Sequence, residues 1–123
     1  MRCVSKKTAA RNAECRDFRR NLVREVGRCE LCDDPRRRKR KGDLCVHEIA
    51  RGCHRSKALD KRFAVLVLCP RCHMQRIHGN ETWPETRQLA ILRKSRPCDF
   101  DLAAYNELIG YGPNRITEEE VVL

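Results

Sequence analysis

Apolar positions along this chain fall into short, separate sets, each with its own period. Over residues 9–26, Phe18, Leu22 and Val26 recur every fourth residue and Val23 widens the stripe, while Arg11, Arg16, Arg19, Arg20 and Arg24 take much of the rest. That spacing predicts an amphipathic helix, and Gly27 directly after it is the residue expected at a helix C-terminus. Residues 44–50, LCVHEIA, read as a short strand, and residues 63–68, FAVLVL, the most apolar run, as a short buried one. The connection between them, RGCHRSKALDKR, is basic, with room for a single helical turn. A helix following Cys72 is expected to end near Gly79. Thr82-Trp83-Pro84-Glu85 has the form of a capping box and predicts a helix to about Ser95, with Trp83, Leu89 and Leu92 on its apolar side and Pro97 ending it. Asp99 is placed to cap a further helix over about 100–109, stopped by Gly110, and Thr117 to Glu120 repeats the capping pattern.

A chain of 123 residues suggests one domain with a modest core, for which a metal cross-link would be a considerable support. No apolar block is long enough to span a membrane. The segment MRCVSKKTAARNAEC lacks an apolar stretch of the kind an export signal needs, which predicts an intracellular, cytoplasmic protein. In a reducing compartment, nine cysteines point away from disulfides and towards metal, the more so because four of them form two CxxC pairs. The thiolates of Cys29, Cys32, Cys69 and Cys72 suit tetrahedral zinc, each two-residue spacer letting both sulfurs of a knuckle face one ion. The 36 residues between Cys32 and Cys69 exceed the gap of a compact zinc ribbon, so they must form a substructure of their own. Of the remaining cysteines, Cys3 and Cys15 are expected at the surface, and Cys45 and Cys98 as small core residues.

The formal charge is +10, from 27 Lys and Arg against 17 Asp and Glu. Four zinc-bound thiolates and their ion would lower it to about +8, since ligand thiols must be deprotonated. A polyanion partner is the natural inference. Asp33-Asp34-Pro35 and the six basic residues Arg36 to Lys41 form a charged loop, either solvated, a targeting patch, or in contact with phosphates.

All four histidines, His47, His54, His73 and His78, lie between the first knuckle and the end of the helix after the second. If the zinc holds the strands against that helix, His47 and His73 can approach and bind a second, catalytic cation that activates water. His78 is five residues beyond His73, about 140° around a regular α-helix, so the two would not share an ion there. It reads instead as a helix-end or phosphate-contact residue. His54 reads as a surface histidine.

Cys29-Glu-Leu-Cys32, Val46-His47-Glu48-Ile49, Leu66-Val-Leu-Cys69-Pro-Arg-Cys72-His73 and Ile77-His78-Gly79 together resemble an HNH endonuclease of the type with a four-cysteine zinc site. The resemblance covers about residues 15–80. It implies an α+β fold with a zinc-knit ββα-metal core, taken with the N-terminal helix as residues 1–80; residues 81–123, outside the resemblance, are expected from their own pattern as a helical extension packed on or beside it. The resemblance implies a metal-dependent hydrolase acting on DNA phosphodiester bonds, in a phage, bacterial or mobile-element setting, with Mg²⁺ or another divalent cation in addition to structural Zn²⁺. His73 matches the helix ligand of the cation. His47 matches the first histidine region, with Glu48 beside it: one register makes His47 the general base, the other makes it a ligand and puts Glu48 where the base sits. The family's middle asparagine falls at Ala64 here; Asp60, His54 or a backbone carbonyl are the candidates to orient the base instead. Arg51, Arg55, Lys57, Lys61 and Arg62 would contact phosphates, with His78. Two other readings of the same residues are a non-catalytic zinc-finger protein that binds nucleic acid, and an assembly protein whose Trp83, Phe100 and Tyr105 dock a partner.

Overall fold

A computed structural model describes residues 5–32, 44–79, 83–110, 112 and 115–123. The charged loop 33–43, Cys3 and Thr82 lie outside these residues. Helix α1 spans Lys6–Val26, three residues earlier at its start than the apolar stripe alone indicates. The Ser5 hydroxyl accepts a hydrogen bond from the Thr8 amide and so fixes that start. At the other end Gly27 adopts φ 67°, the left-handed conformation that a side chain would strain, and its amide donates to the Val23 carbonyl.

Strands β1 (Cys45–Glu48) and β2 (Val65–Leu68) form an antiparallel pair in which Val46 faces Val67 and His47 faces Leu66. Between them run a 3₁₀ turn at Gly52–His54, the single-turn helix α2 (Arg55–Ala58) and a second 3₁₀ turn at Arg62–Ala64. The two-residue period of the strands divides the pair into two faces. Val46, Val65 and Val67 pack with Leu22, Phe18, Val23 and Val26 of α1. Leu66 and Leu68 face the larger core, which they share with Ile49, Trp83, Leu89, Leu92, Tyr105 and Val121. All four residues of β2 are therefore buried.

Both outer edges of this pair are covered by arginines. On the β1 side Arg19 of α1 donates to the Val46 carbonyl. On the β2 side the Glu30 amide donates to the Val67 carbonyl, and the Glu30 carboxylate accepts from the Val67 amide, both at 2.8 Å. Arg96 donates to that carboxylate and to the Val65 carbonyl. An exposed edge would invite pairing with another chain; here the Val46 and Val65 carbonyls and both polar groups of Val67 are satisfied internally. Glu30 lies inside the first CxxC knuckle, so the same bonds dock that knuckle onto the sheet.

Helix α3 (Glu85–Ser95) starts after Pro84 without a side-chain cap. Its Glu85 accepts a hydrogen bond from the Tyr105 hydroxyl of α4 (Leu102–Ile109). The cap of α4 is Asp101, whose carboxylate accepts from the Ala104 amide. Asp99, expected in that role, instead pairs with Arg62 and Arg96. The Asn106 side chain exchanges two 2.8 Å hydrogen bonds with the Ile116 backbone and ties the C-terminal segment to α4. Thr117 and Glu120 form the expected capping box, on a 3₁₀ turn over Glu118–Glu120. Trp83 and Tyr105 point into the core rather than outward. Among the described residues no helix is long and apolar enough to cross a membrane.

Candidate metal centres

The first knuckle follows the Gly27 stop and the second follows β2 directly. The sulfurs of Cys29, Cys32, Cys69 and Cys72 lie within 4.8 Å of one another. Cys32 Sγ is 3.9 Å from Cys69 Sγ. Four sulfurs at about 2.3 Å from a tetrahedral zinc stand about 3.8 Å apart, so the donor set fits the ion. Cys29, Cys69 and Cys72 are buried. Burial and the neighbouring thiols push the Cys72 thiol up, as expected where crowded sulfurs ionise only around a cation. The group is positioned to bind a metal ion, consistent with structural zinc.

Two expectations for the other cysteines are reversed. Cys15 is buried, because it stands on the helix face of Phe18 and Leu22, and Cys98 is exposed in the turn between α3 and α4. Cys45 is half-buried and its Sγ lies 3.3 Å from the Leu68 carbonyl oxygen.

Beyond Cys72 the backbone winds as a π-helix over Cys72–Ile77, and the His78 amide donates to the His73 carbonyl, five residues back. The wider turn brings residues five apart onto one face. His73 and His78 therefore stand together, and the 140° separation of a regular helix does not apply. Gly79 permits this winding: a Cβ there would overlap the Gln75 carbonyl. His47, on the sheet face away from α1, completes the cluster. Ring centroids are 5.1 Å apart for His47 and His73, 5.3 Å for His47 and His78, and 4.8 Å for His73 and His78. One ring nitrogen from each lies within 4.8 Å of the others.

Burial holds the His47 imidazole well below its ordinary value, at about 4; a hydrogen bond to Gln88 works against this and the two neighbouring histidines add to it. Burial and His78 also lower His73, against the field of Glu48. Both imidazoles are thus neutral near pH 7, the form with a lone pair to offer. An all-nitrogen donor set suits zinc, nickel or iron, whereas Mg²⁺ prefers carboxylate and water oxygens.

His47 and His78 border an open cleft of about 430 Å³, lined also by Glu48, Arg51, Arg55 and Gln88. Glu48 follows His47 and so points to the α1 side, where its Oε1 is 3.5 Å from Arg19 Nη1. Arg51 donates to the Trp83 carbonyl at 3.1 Å. Lys57 is exposed on α2 and Lys61 sits beside Asp60; neither borders the cleft. Arg62 does not join it either: its guanidinium donates to Glu25 and Asp99.

None of the side chains expected to replace the asparagine reaches His47. Asp60 binds Arg11 through two hydrogen bonds, of 2.6 and 3.2 Å. His54 Nδ1 has no hydrogen-bond partner among the described residues. Ala64 is buried and its carbonyl accepts from the Ile49 amide. The side chain that does reach His47 is Gln88 of α3, whose Oε1 lies 2.8 Å from His47 Nε2. One signal for it is present in the sequence, since Gln88 is four residues from Leu92 and shares its buried face. Next to it the Trp83 ring carries the guanidinium of Arg87 at 3.7 Å and that of Arg76 at 5.3 Å.

Compared with models of known families, with curated proteins and with solved structures, the chain matches none.

Proposed function

We propose that this chain is an HNH-type endonuclease on a ββα-metal core, hydrolysing DNA phosphodiester bonds with a divalent cation held apart from the structural zinc. The observation that carries the reading is the convergence of His47, from the sheet, with His73 and His78, from the following helix, in a group whose His47 and His78 border an open arginine-lined cleft, beside a closed four-cysteine group. His73 and His78 would hold the cation, which supplies Lewis acidity to the phosphate oxygens. His47, neutral and buried against both, accepts the proton of the attacking water. Phosphorus gains that oxygen and releases the sugar oxygen. Arg51 and Arg55 border the cleft and hold flanking phosphates, so binding weakens steeply with salt.

The test is plasmid nicking across Mg²⁺, Mn²⁺, Co²⁺, Ni²⁺ and added Zn²⁺. Cleavage is expected with the transition ions in preference to Mg²⁺, and its loss in His47→Ala and His73→Ala, with zinc content and melting temperature retained. Cleavage by both variants at the wild-type rate would overturn the proposal. A second reading, a zinc-finger protein that binds DNA without cutting it, has its own support in Glu48, whose carboxylate is 3.5 Å from Arg19 and is not one of the donors grouped with the three histidines. It expects salt-sensitive DNA binding and no cleavage under any ion.

A further inference from the structure

The amide of Gln88 is oriented by its other partner. Its Nε2 donates to the Trp83 carbonyl at 2.7 Å, and a carbonyl can only accept. The nitrogen must therefore face Trp83 and the oxygen must face His47. That oxygen, 2.8 Å from His47 Nε2, can only accept in turn, so the ring carries its hydrogen on Nε2. In a neutral imidazole the lone pair is then on Nδ1 alone. Gln88 is buried at 2% exposure, so water competes little for this bond. Arg51 donates to the same Trp83 carbonyl and borders the cleft, which links the relay to the arginine rim.

We propose that Gln88 is the positioning residue of the histidine cluster: through the chain Trp83 carbonyl, Gln88 amide, His47 ring, it fixes His47 as the Nε2–H tautomer and leaves Nδ1 as the one nitrogen able to take a cation or the proton of its water. A glutamine on α3, in the C-terminal third of the chain, thereby completes a site whose other members lie on the hairpin and the π turn. Only the kinetic arm of the inference rests on the nuclease reading; the tautomer does not.

The experiment uses the full zinc-loaded chain, labelled with ¹⁵N, and long-range proton–nitrogen spectra that report which His47 nitrogen is protonated. The wild type is expected to show Nε2–H. Gln88→Met and Gln88→Leu, two replacements of similar volume that lack the acceptor, are expected to shift His47 towards Nδ1–H, with zinc content unchanged. Gln88→Glu keeps an acceptor and is expected to keep the wild-type tautomer. In nicking assays Gln88→Met is expected to lower kcat about 10- to 100-fold, the usual cost of losing a partner behind a metal-site histidine, with KM for DNA little changed. A wild-type ring protonated on Nδ1, or an unchanged tautomer in either acceptor-free variant, would overturn the proposal. A wild type that cuts no DNA would sink the nuclease reading and leave the spectra to decide the role of Gln88.

Discussion

The two candidate metal centres sit on consecutive residues, Cys72 and His73, yet they are built on opposite principles. The cysteine group takes two ligands from each of two tight turns, is largely buried, and offers four sulfurs to an ion that needs four. The histidine group takes its members from a strand and a π turn, opens on a cleft, and offers three nitrogens, which leaves coordination positions for water or substrate. The first arrangement suits holding the chain together and the second suits chemistry. Their adjacency shows how one can serve the other: the knuckle that ends in Cys72 sets the start of the turn that carries His73 and His78.

The contrast breaks most visibly when the zinc is removed. Structural zinc contributes on the order of 10 kcal/mol to small domains of this kind. Cys69→Ser, or a strong chelator, is expected to abolish cooperative unfolding in calorimetry and to dissolve both centres together. If the histidine cluster still bound Co²⁺ with its wild-type spectrum after the cysteine group had been emptied, the dependence would be refuted. His73→Ala acts in the opposite sense. If His73 holds the proposed catalytic cation, its loss is expected to slow nicking at least about 100-fold, within the range for losing a catalytic group, while the melting temperature moves by only a few degrees.

Arg96→Ala sharpens the comparison from the structural side. Its partner Glu30 is fully buried within the first knuckle, and a buried carboxylate left without its guanidinium costs about 3 to 5 kcal/mol. Denaturant titration should show that loss, with zinc released at lower denaturant than in the wild type. Unchanged stability would mean that the knuckle does not depend on the sheet edge.

Tyr105, whose hydroxyl bonds to Glu85 rather than to either knuckle, supplies the smallest effect and a pH dependence. Burial, and then its bond to Glu85, raise the Tyr105 hydroxyl above its ordinary value near 10. The folded chain keeps this proton where the unfolded chain releases it, so the contribution is complete below pH 10 and is lost as pH rises beyond it. Tyr105→Phe is expected to cost about 1 to 3 kcal/mol at neutral pH, for a hydrogen bond to a charged partner. It should also flatten the decline in stability between about pH 9.5 and 11, measured by denaturant midpoints. Equal alkaline slopes in the two proteins would rule out this role.

What could be read from residue order is what depends on local spacing. The α1 stripe and its Gly27 stop, both strands and the two CxxC knuckles each fit within a few turns of chain. Apart from Cys15, whose burial follows from its place on the α1 stripe, the expectations that went astray concern partners chosen across the fold. Arg62 pairs with Glu25 and Asp99 because the 3₁₀ turn before β2 lies between α1 and the α3–α4 connection. Asp99 then has no role as a helix cap, and Asp101 takes it. The π turn was hidden for a different reason: hydrophobic periodicity over six residues does not distinguish five residues per hydrogen-bonded step from four. The Gln88 contact required the packing of α3 over the hairpin, 41 residues from His47 in sequence.

The π turn also bears on how the histidine pair tolerates change in the chain. A π turn is an α-helix with one residue inserted. If one residue between His73 and His78 were deleted, a regular α-helix would again place the two rings on one face, now four apart. What the site constrains is the meeting of the rings, not the count of residues between them, so sequences with three or four residues between these histidines can encode the same centre. The longer version carries one further requirement, a residue without a side chain at the position of Gly79, where any Cβ would press on the Gln75 carbonyl and force the extra residue out of the helix.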